Sequence, residues 1–166
     1  MISAKTISQT VEKLSAQDPA QAQALVKQMS KEQPFVLAYL LASSENERFD
    51  KEESEAFFFA GVVVWHLMKQ KPTGLRKVTE KGLTHAEKAN EALLEKMASD
   101  SEGDFFSAAE AMALNSAEPE VLRYITQALM EDDEGNPDNA PFGEEHLGQG
   151  FLHLKIVLDA FVDSQK

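Results

Sequence analysis

The sequence predicts an all-α fold of about eight helices, packed as a single compact helical domain over residues 1–166. Apolar residues recur at the spacing of an amphipathic helix along most of the chain. Helix start signals stand before several of these stretches, and only 8 glycines and 6 prolines occur among 166 residues. The apolar run 57–65 could favour a strand because it holds three valines. Its length and the capping box before it favour a buried helix instead.

The first half of the chain predicts four helices. The first, over about residues 4–16, has an apolar stripe at i, i+4 and i+7 formed by Ile7, Val11 and Leu14. Start signals predict three more helices, at Asp18 before Pro19, at Pro34, and at the capping-box pair Asp50 and Glu53. We expect the fourth helix to run to about Lys71, since Pro72 and Gly74 follow it.

The second half of the chain predicts four further helices. Thr84 and Glu87 have capping-box spacing at the start of the fifth helix. Asp104 is placed to cap the sixth, and Pro119 starts the seventh. The eighth helix has the clearest apolar rhythm, given by Leu147, Phe151, Leu154, Leu158 and Phe161.

The two halves of the sequence resemble each other, which suggests an internal duplication of residues 1–72 and 83–166 joined by a basic connector. The segments QPFVLAYL (33–40) and EPEVLRYI (118–125) share Pro, Val, Leu and Tyr in register at an offset of 85. Asp18 and Asp104, both expected to be caps, are 86 residues apart. Chance is the competing explanation, because two copies are too few to define a repeat period.

Composition restricts the classes of function. The net charge of −12 repels a nucleic acid backbone and suits a basic partner, so we expect no nucleic acid. The longest apolar run covers nine residues, whereas a membrane span needs about 20, so we expect no membrane segment. The absence of cysteine excludes disulfides and thiolate sites and fits a reducing compartment, and we therefore expect a cytoplasmic protein.

No catalytic or cofactor signature stands out in the chain. The phosphate-loop, nucleophile-elbow, zinc-protease and dinucleotide motifs are all missing, so the sequence favours a protein without enzymatic activity, cofactor or metal. Gly148-Gln-Gly150 lies inside a predicted helix, where it indicates close helix packing. His146 and His153 are seven residues apart, about 10 Å along a helix, which is too far to share one metal.

Charge is distributed unevenly along the sequence. Five basic residues fall between positions 69 and 81, at the junction of the proposed halves, while the segment 131–145 has seven acids and no Lys or Arg. Opposite patches could face each other within one molecule or join neighbouring copies. A phosphate or nucleic acid contact at the basic residues is a weaker alternative, because the net charge opposes it and no aromatic side chain is interleaved there. The interpretation that the sequence favours most for this basic stretch is a solvated linker.

The leading hypothesis for function is a non-enzymatic, acidic helical module that binds a partner protein or itself. Three consecutive aromatic residues, 57–59, span about 200 degrees of a helix, so the helix is either central to the core or reaches a partner. The candidate partner-binding residues combine two of these aromatics with the basic connector: Phe57, Phe58, Lys69, Lys71, Arg76, Lys77 and Lys81.

A small ligand or metal held between helices is the alternative hypothesis, since helical bundles commonly bind ligands in this way. His66 would be its central residue, because it lies on the most apolar predicted helix. The other candidate ligand-binding residues are Glu52, Glu55 and Trp65. The ordinary interpretation of His66 is a histidine at the edge of the core, bonded to a backbone carbonyl or a carboxylate.

Overall fold

The chain folds as an all-α bundle, as the sequence predicts. The structure, a computed structural model, describes residues 1–97, 102–132 and 134–165. These residues form no strand and eight α-helices: α1 (Ala4–Ser15), α2 (Pro19–Glu32), α3 (Pro34–Asn46), α4 (Lys51–Lys69), α5 (Glu80–Met97), α6 (Glu102–Leu114), α7 (Pro119–Met130) and α8 (Glu144–Ser164). One short 3-10 helix, Pro137–Asn139, precedes α8.

Several predicted helix starts are confirmed by their capping contacts. Asp50 and Glu53 form a reciprocal capping box, in which each side chain accepts a hydrogen bond from the backbone N–H of the other. Asp18 caps α2 in the same way, with Gln21 as its partner. Pro34 and Pro119 occupy the first positions of α3 and α7, where a missing N–H leaves no hydrogen bond unmade.

Two predicted starts in the second half are wrong. Helix α5 begins four residues before Thr84, because the Thr79 side chain accepts a hydrogen bond of 2.9 Å from the backbone N–H of Gly82. The proposed second half, from residue 83, therefore starts inside a helix. Helix α6 begins at Glu102, so Asp104 lies within its first turn rather than at its cap.

Helices α4 and α8 form a parallel central pair. Where they begin, the rings of Phe49 and Phe142 pack edge to face with centroids 5.0 Å apart. Beyond their last turns, the Gln165 side chain donates a hydrogen bond of 3.4 Å to the carbonyl of Gly74. The apolar run 57–65 forms the third and fourth turns of α4 and is largely buried, which confirms the predicted buried helix.

Two long-range hydrogen bonds hold the segments before α1 and α5 in matching ways. The backbone N–H of Ile2, before α1, donates to Glu118, and that of Val78, before α5, donates to Gln33, each at 2.8 Å. Glu118 and Gln33 are both 1% exposed and stand in similar backbone conformations immediately before the prolines that start α7 and α3. The internal duplication itself stays a prediction.

Glycine allows the closest approach between helices. A Cβ built on Gly148 of α8 would lie only 2.4 Å from the backbone oxygen of Met97, at the end of α5. A Cβ on Gly150 would lie 2.6 Å from the Phe142 ring. The prediction that Gly148-Gln-Gly150 serves close packing is therefore confirmed.

Candidate functional site

Acidic residues concentrate at the end of the bundle where α4 and α8 begin. The segment 45–55 has six acidic and two basic residues, and the segment 131–145 has seven acidic and none basic. The two segments meet at Phe49 and Phe142, whose rings are in contact. Asp133 lies outside the described residues. Part of this acidity stabilises the first turns of the two helices, because a helix N-terminus attracts negative charge.

The basic connector lies at the other end of α4. That helix has 19 residues and is therefore about 28 Å long. The acidic and basic patches thus do not face each other within one molecule, which leaves neighbouring copies or other partners as their possible counterparts. Because charges separated by more than about 10 Å are largely screened in physiological salt, each end presents its own charge to a partner.

Two of the five connector cations already have internal partners. Lys69 lies 3.2 Å from a Glu32 carboxylate oxygen and 4.6 Å from the centre of the Trp65 ring. Lys71 lies 2.6 Å from the buried carboxylate of Glu118. The other three are exposed and form no ion pair within the part of the chain that the structure describes: Arg76, Lys77 and Lys81.

An apolar groove of about 430 Å³ opens between α3 and α4, at the acidic end. Leu41 is 56% exposed on one side, and Phe58 is half-buried on the other. Phe57 is fully buried, so this candidate partner-binding residue contributes to the floor rather than to the surface. The remaining lining residues are Leu40, Ser44, Glu45, Arg48, Phe49 and Ser54.

Below this groove, a buried carboxylate joins the two acidic segments. Glu53 is 3% exposed and accepts hydrogen bonds from the backbone N–H of Gly143 at 3.0 Å and of Asp50 at 3.0 Å. The Nδ1 atom of His146 lies 2.8 Å from the same carboxylate. These contacts fix the starts of α4 and α8 relative to each other, and they leave Glu53 no free oxygen for an external ligand.

A buried histidine, His153, bridges α3 and α8. His153 is 8% exposed, and its ring nitrogens contact the Tyr39 hydroxyl at 2.7 Å and the Glu47 carboxylate at 3.2 Å. Burial lowers the pKa of His153, and the nearby Glu47 opposes that shift in part. Burial also raises the pKa of the Tyr39 hydroxyl, so it stays protonated. We interpret this row of side chains as a structural contact.

The structure does not bring together the residues of the predicted ligand site. His66 follows Glu55 by 11 residues and Glu52 by 14, which places it about 16 and 21 Å away along the same helix. Trp65 is fully buried, whereas His66 is half-buried and contacts the Gln70 side chain at 3.1 Å. Burial, followed by the charges of nearby lysines, lowers the pKa of His66. His66 lies at the edge of the core as its ordinary interpretation predicts, but it contacts the Gln70 side-chain amide instead of a backbone carbonyl or a carboxylate.

A second groove, of about 610 Å³, lies between α5, α6 and α8. Its floor carries a satisfied polar cluster, in which the Lys155 ammonium donates to Asn90 at 2.8 Å and to Asp159 at 2.7 Å. Sequence reasoning missed both this cluster and the groove between α3 and α4. The apolar residues Leu41 and Phe58 were the available signal for the groove between α3 and α4. The packing of these two helices decides which apolar residues stay exposed, and the sequence alone does not specify that packing.

Comparisons with known protein families, with curated proteins and with solved structures found no match to this chain. The fold and the groove therefore define its class by themselves: an all-α bundle with an apolar groove at an acidic end. Within the described ranges, no helix is long and apolar enough to cross a membrane. The same residues contain no group of three or more His, Asp or Glu side chains placed to hold a metal ion.

Proposed function

We propose that this chain is a non-enzymatic module that binds a partner protein, either another protein or a second copy of itself, through the groove between α3 and α4. The observation that carries the proposal is the uncovered apolar surface of this groove, where Leu41 is 56% exposed beside Phe58. A single exposed leucine is ordinary on a protein surface, but a concave apolar site with an aromatic floor is a typical place for a partner side chain.

The non-enzymatic part of the proposal rests on the sequence, which lacks the phosphate-loop, nucleophile-elbow, zinc-protease and dinucleotide motifs. The buried polar groups beside the groove support it, since the hydrogen-bonding atoms of Glu53 and His153 are engaged with the protein itself. The absence of cysteine suits a reducing compartment, and we place the protein in the cytoplasm as part of the same proposal.

Site-specific photo-crosslinking tests the proposal. A benzophenone amino acid replaces Leu41 in the full chain, and in a matched control it replaces Leu114, which is 71% exposed on α6. Both proteins are irradiated alone and in extract of the source cell. We expect a discrete adduct from position 41, either with a second copy or with one protein that forms the same adduct when purified.

The result expected at position 114 is no adduct of that mass, because this leucine does not line the groove. Equal adducts from both positions would show unspecific adhesion and overturn the proposal. So would an absence of adducts from position 41 when the irradiated protein is shown to be folded. Native mass spectrometry of the unmodified chain gives an independent measure of self-association and of any bound small molecule.

A further inference from the structure

We propose that the partner segment of this groove is a basic amphipathic helix, an inference that rests on the proposed function. The groove runs between two packed helices and offers apolar surface on both walls, from Leu41 on α3 and Phe58 on α4. Helices that bind in such grooves insert side chains from one face, at i, i+3 or i+4 and i+7. The exposed leucine and the half-buried phenylalanine are the positions that those side chains would contact.

Acidic side chains stand beside each apolar wall. Glu45 follows Leu41 by four residues, and Glu55 precedes Phe58 by three, so each acid lies one turn from its apolar neighbour on the same helix face. Glu52 is exposed one turn before Glu55. The apolar centre is therefore flanked by negative charge on two sides, and a matching partner carries lysine or arginine on both flanks of its apolar stripe.

The flanking acids are free to meet such a partner. The other acids of the segment 45–55 are engaged internally: Asp50 in the capping box, Glu53 with His146, and Glu47 with His153. Among the described residues, no ion pair holds the three remaining exposed acids, which are Glu45, Glu52 and Glu55.

The same charges disfavour an acidic partner. The groove lining itself carries one acidic residue, Glu45, and one basic residue, Arg48. Over the whole segment 45–55, six acidic residues outnumber the two basic ones, Arg48 and Lys51. The neighbouring segment 131–145 adds negative charge across the contact between Phe49 and Phe142. An acidic segment would therefore meet like charge on both sides, whereas a basic segment is attracted over the whole end of the molecule.

A designed peptide tests the inference directly. The probe is an 18-residue fluorescein-labelled helix with leucine at i, i+3, i+4 and i+7 and lysine elsewhere, and its control has the same residues in scrambled order. Fluorescence anisotropy measures both dissociation constants with the full chain. We expect the amphipathic peptide to bind at least tenfold more tightly than the scrambled one, and its binding to weaken as salt is raised.

Matched variants assign the binding to the groove. Leu41→Ser removes an exposed apolar contact without changing charge. We expect this variant to bind the amphipathic peptide at least tenfold more weakly than the native chain does. Leu114→Ser makes the same change at the control leucine on α6 and should leave binding within twofold. The double variant Glu45→Gln/Glu55→Gln should weaken binding several-fold more than Glu91→Gln/Glu95→Gln on α5, an equal change of charge elsewhere.

Several outcomes overturn the inference. Equal binding of the amphipathic and scrambled peptides would show attraction by net charge alone. Unchanged binding to the folded Leu41→Ser variant would place the peptide outside the groove. Tighter binding of a leucine-glutamate peptide would reverse the charge of the partner. A further outcome is that adducts form at position 41 and excess amphipathic peptide does not suppress them. That result would support the proposed interaction module and overturn the identification of its partner as a basic amphipathic helix.

Discussion

The carboxylate of Glu118 accepts a hydrogen bond of 2.8 Å from the backbone N–H of Ile2, across 116 residues of chain. The second carboxylate oxygen of Glu118 lies 2.6 Å from the Lys71 ammonium nitrogen. One buried side chain therefore links both the start of the chain and the basic connector to the start of α7. Gln33 has the corresponding place at the start of α3. It accepts from the Val78 N–H at 2.8 Å and donates to the Arg76 carbonyl at 2.9 Å.

Glu118→Ala should lower the free energy of unfolding by about 1–3 kcal/mol, because it leaves the buried N–H of Ile2 without an acceptor. Glu118→Gln should lower the free energy of unfolding by less, since an amide oxygen can still accept that hydrogen bond. Denaturant unfolding followed by circular dichroism measures both values. Equal losses for the two variants would show that the ion pair with Lys71, rather than the hydrogen bond, supplies most of the stabilisation.

Gln33→Glu should destabilise the fold by about 1–3 kcal/mol although it changes so little volume. A carboxylate can still accept from the Val78 N–H, but it cannot donate to the Arg76 carbonyl and brings a charge into a site that is 1% exposed. The same denaturant experiment measures the loss at neutral pH. A variant as stable as the native chain would show that the connector contact at Arg76 contributes nothing measurable.

Gly148→Ala should lower the free energy of unfolding by about 1–3 kcal/mol, because the new methyl group collides with the backbone carbonyl of Met97. Gly103→Ala on α6 is the matched control. No atom of the described residues lies within 4 Å of a Cβ at that position, so this change should stabilise the chain by up to about 1 kcal/mol through helix propensity. Thermal unfolding distinguishes the two, and a neutral Gly148→Ala would mean that α5 and α8 can separate slightly without cost.

Stability should fall as the pH is lowered from about 7.5 to 5.5. Burial lowers the pKa of His153 below its ordinary value of 6.5, so the unfolded chain binds a proton at a higher pH than the folded chain does. The stabilisation is complete above 6.5 and is lost as the pH falls through the lowered pKa. His66 adds a dependence of the same sign, since its pKa is also lowered by burial. We expect His153→Gln to flatten the dependence, and identical slopes for both proteins would exclude His153 as a source.

The predicted helix starts that the structure confirms are those with a local cause. Asp18, Asp50 and the prolines at 34 and 119 act on hydrogen bonds within one turn of their own position, so their effect is visible in the sequence. The predicted start of α5 was wrong because Thr79 and Thr84 both have a side chain that can cap a helix. In the structure Thr79 caps α5 as Ser3 caps α1, each accepting a hydrogen bond from the backbone N–H three residues later.

The candidate site was only partly predictable for a physical reason. The aromatic run 57–59 indicated a helix with apolar side chains on several faces. The sequence of that helix does not determine which of those faces the other helices cover. Phe57 is buried by the packing of α4, whereas Phe58 remains half-buried beside Leu41. His66, Glu52 and Glu55 share one helix, and its rise per residue keeps the histidine away from both acids.

The sequence by itself determined the helical class, most helix boundaries and the uneven distribution of charge, because periodicity, caps and composition act locally or additively. Only the tertiary structure decided that α4 and α8 run parallel, that the two acidic segments meet at Phe49 and Phe142, and that Glu118 and Gln33 bind residues far along the chain. Those contacts depend on which helix faces pack together, and many pairings of eight amphipathic helices share the same local pattern.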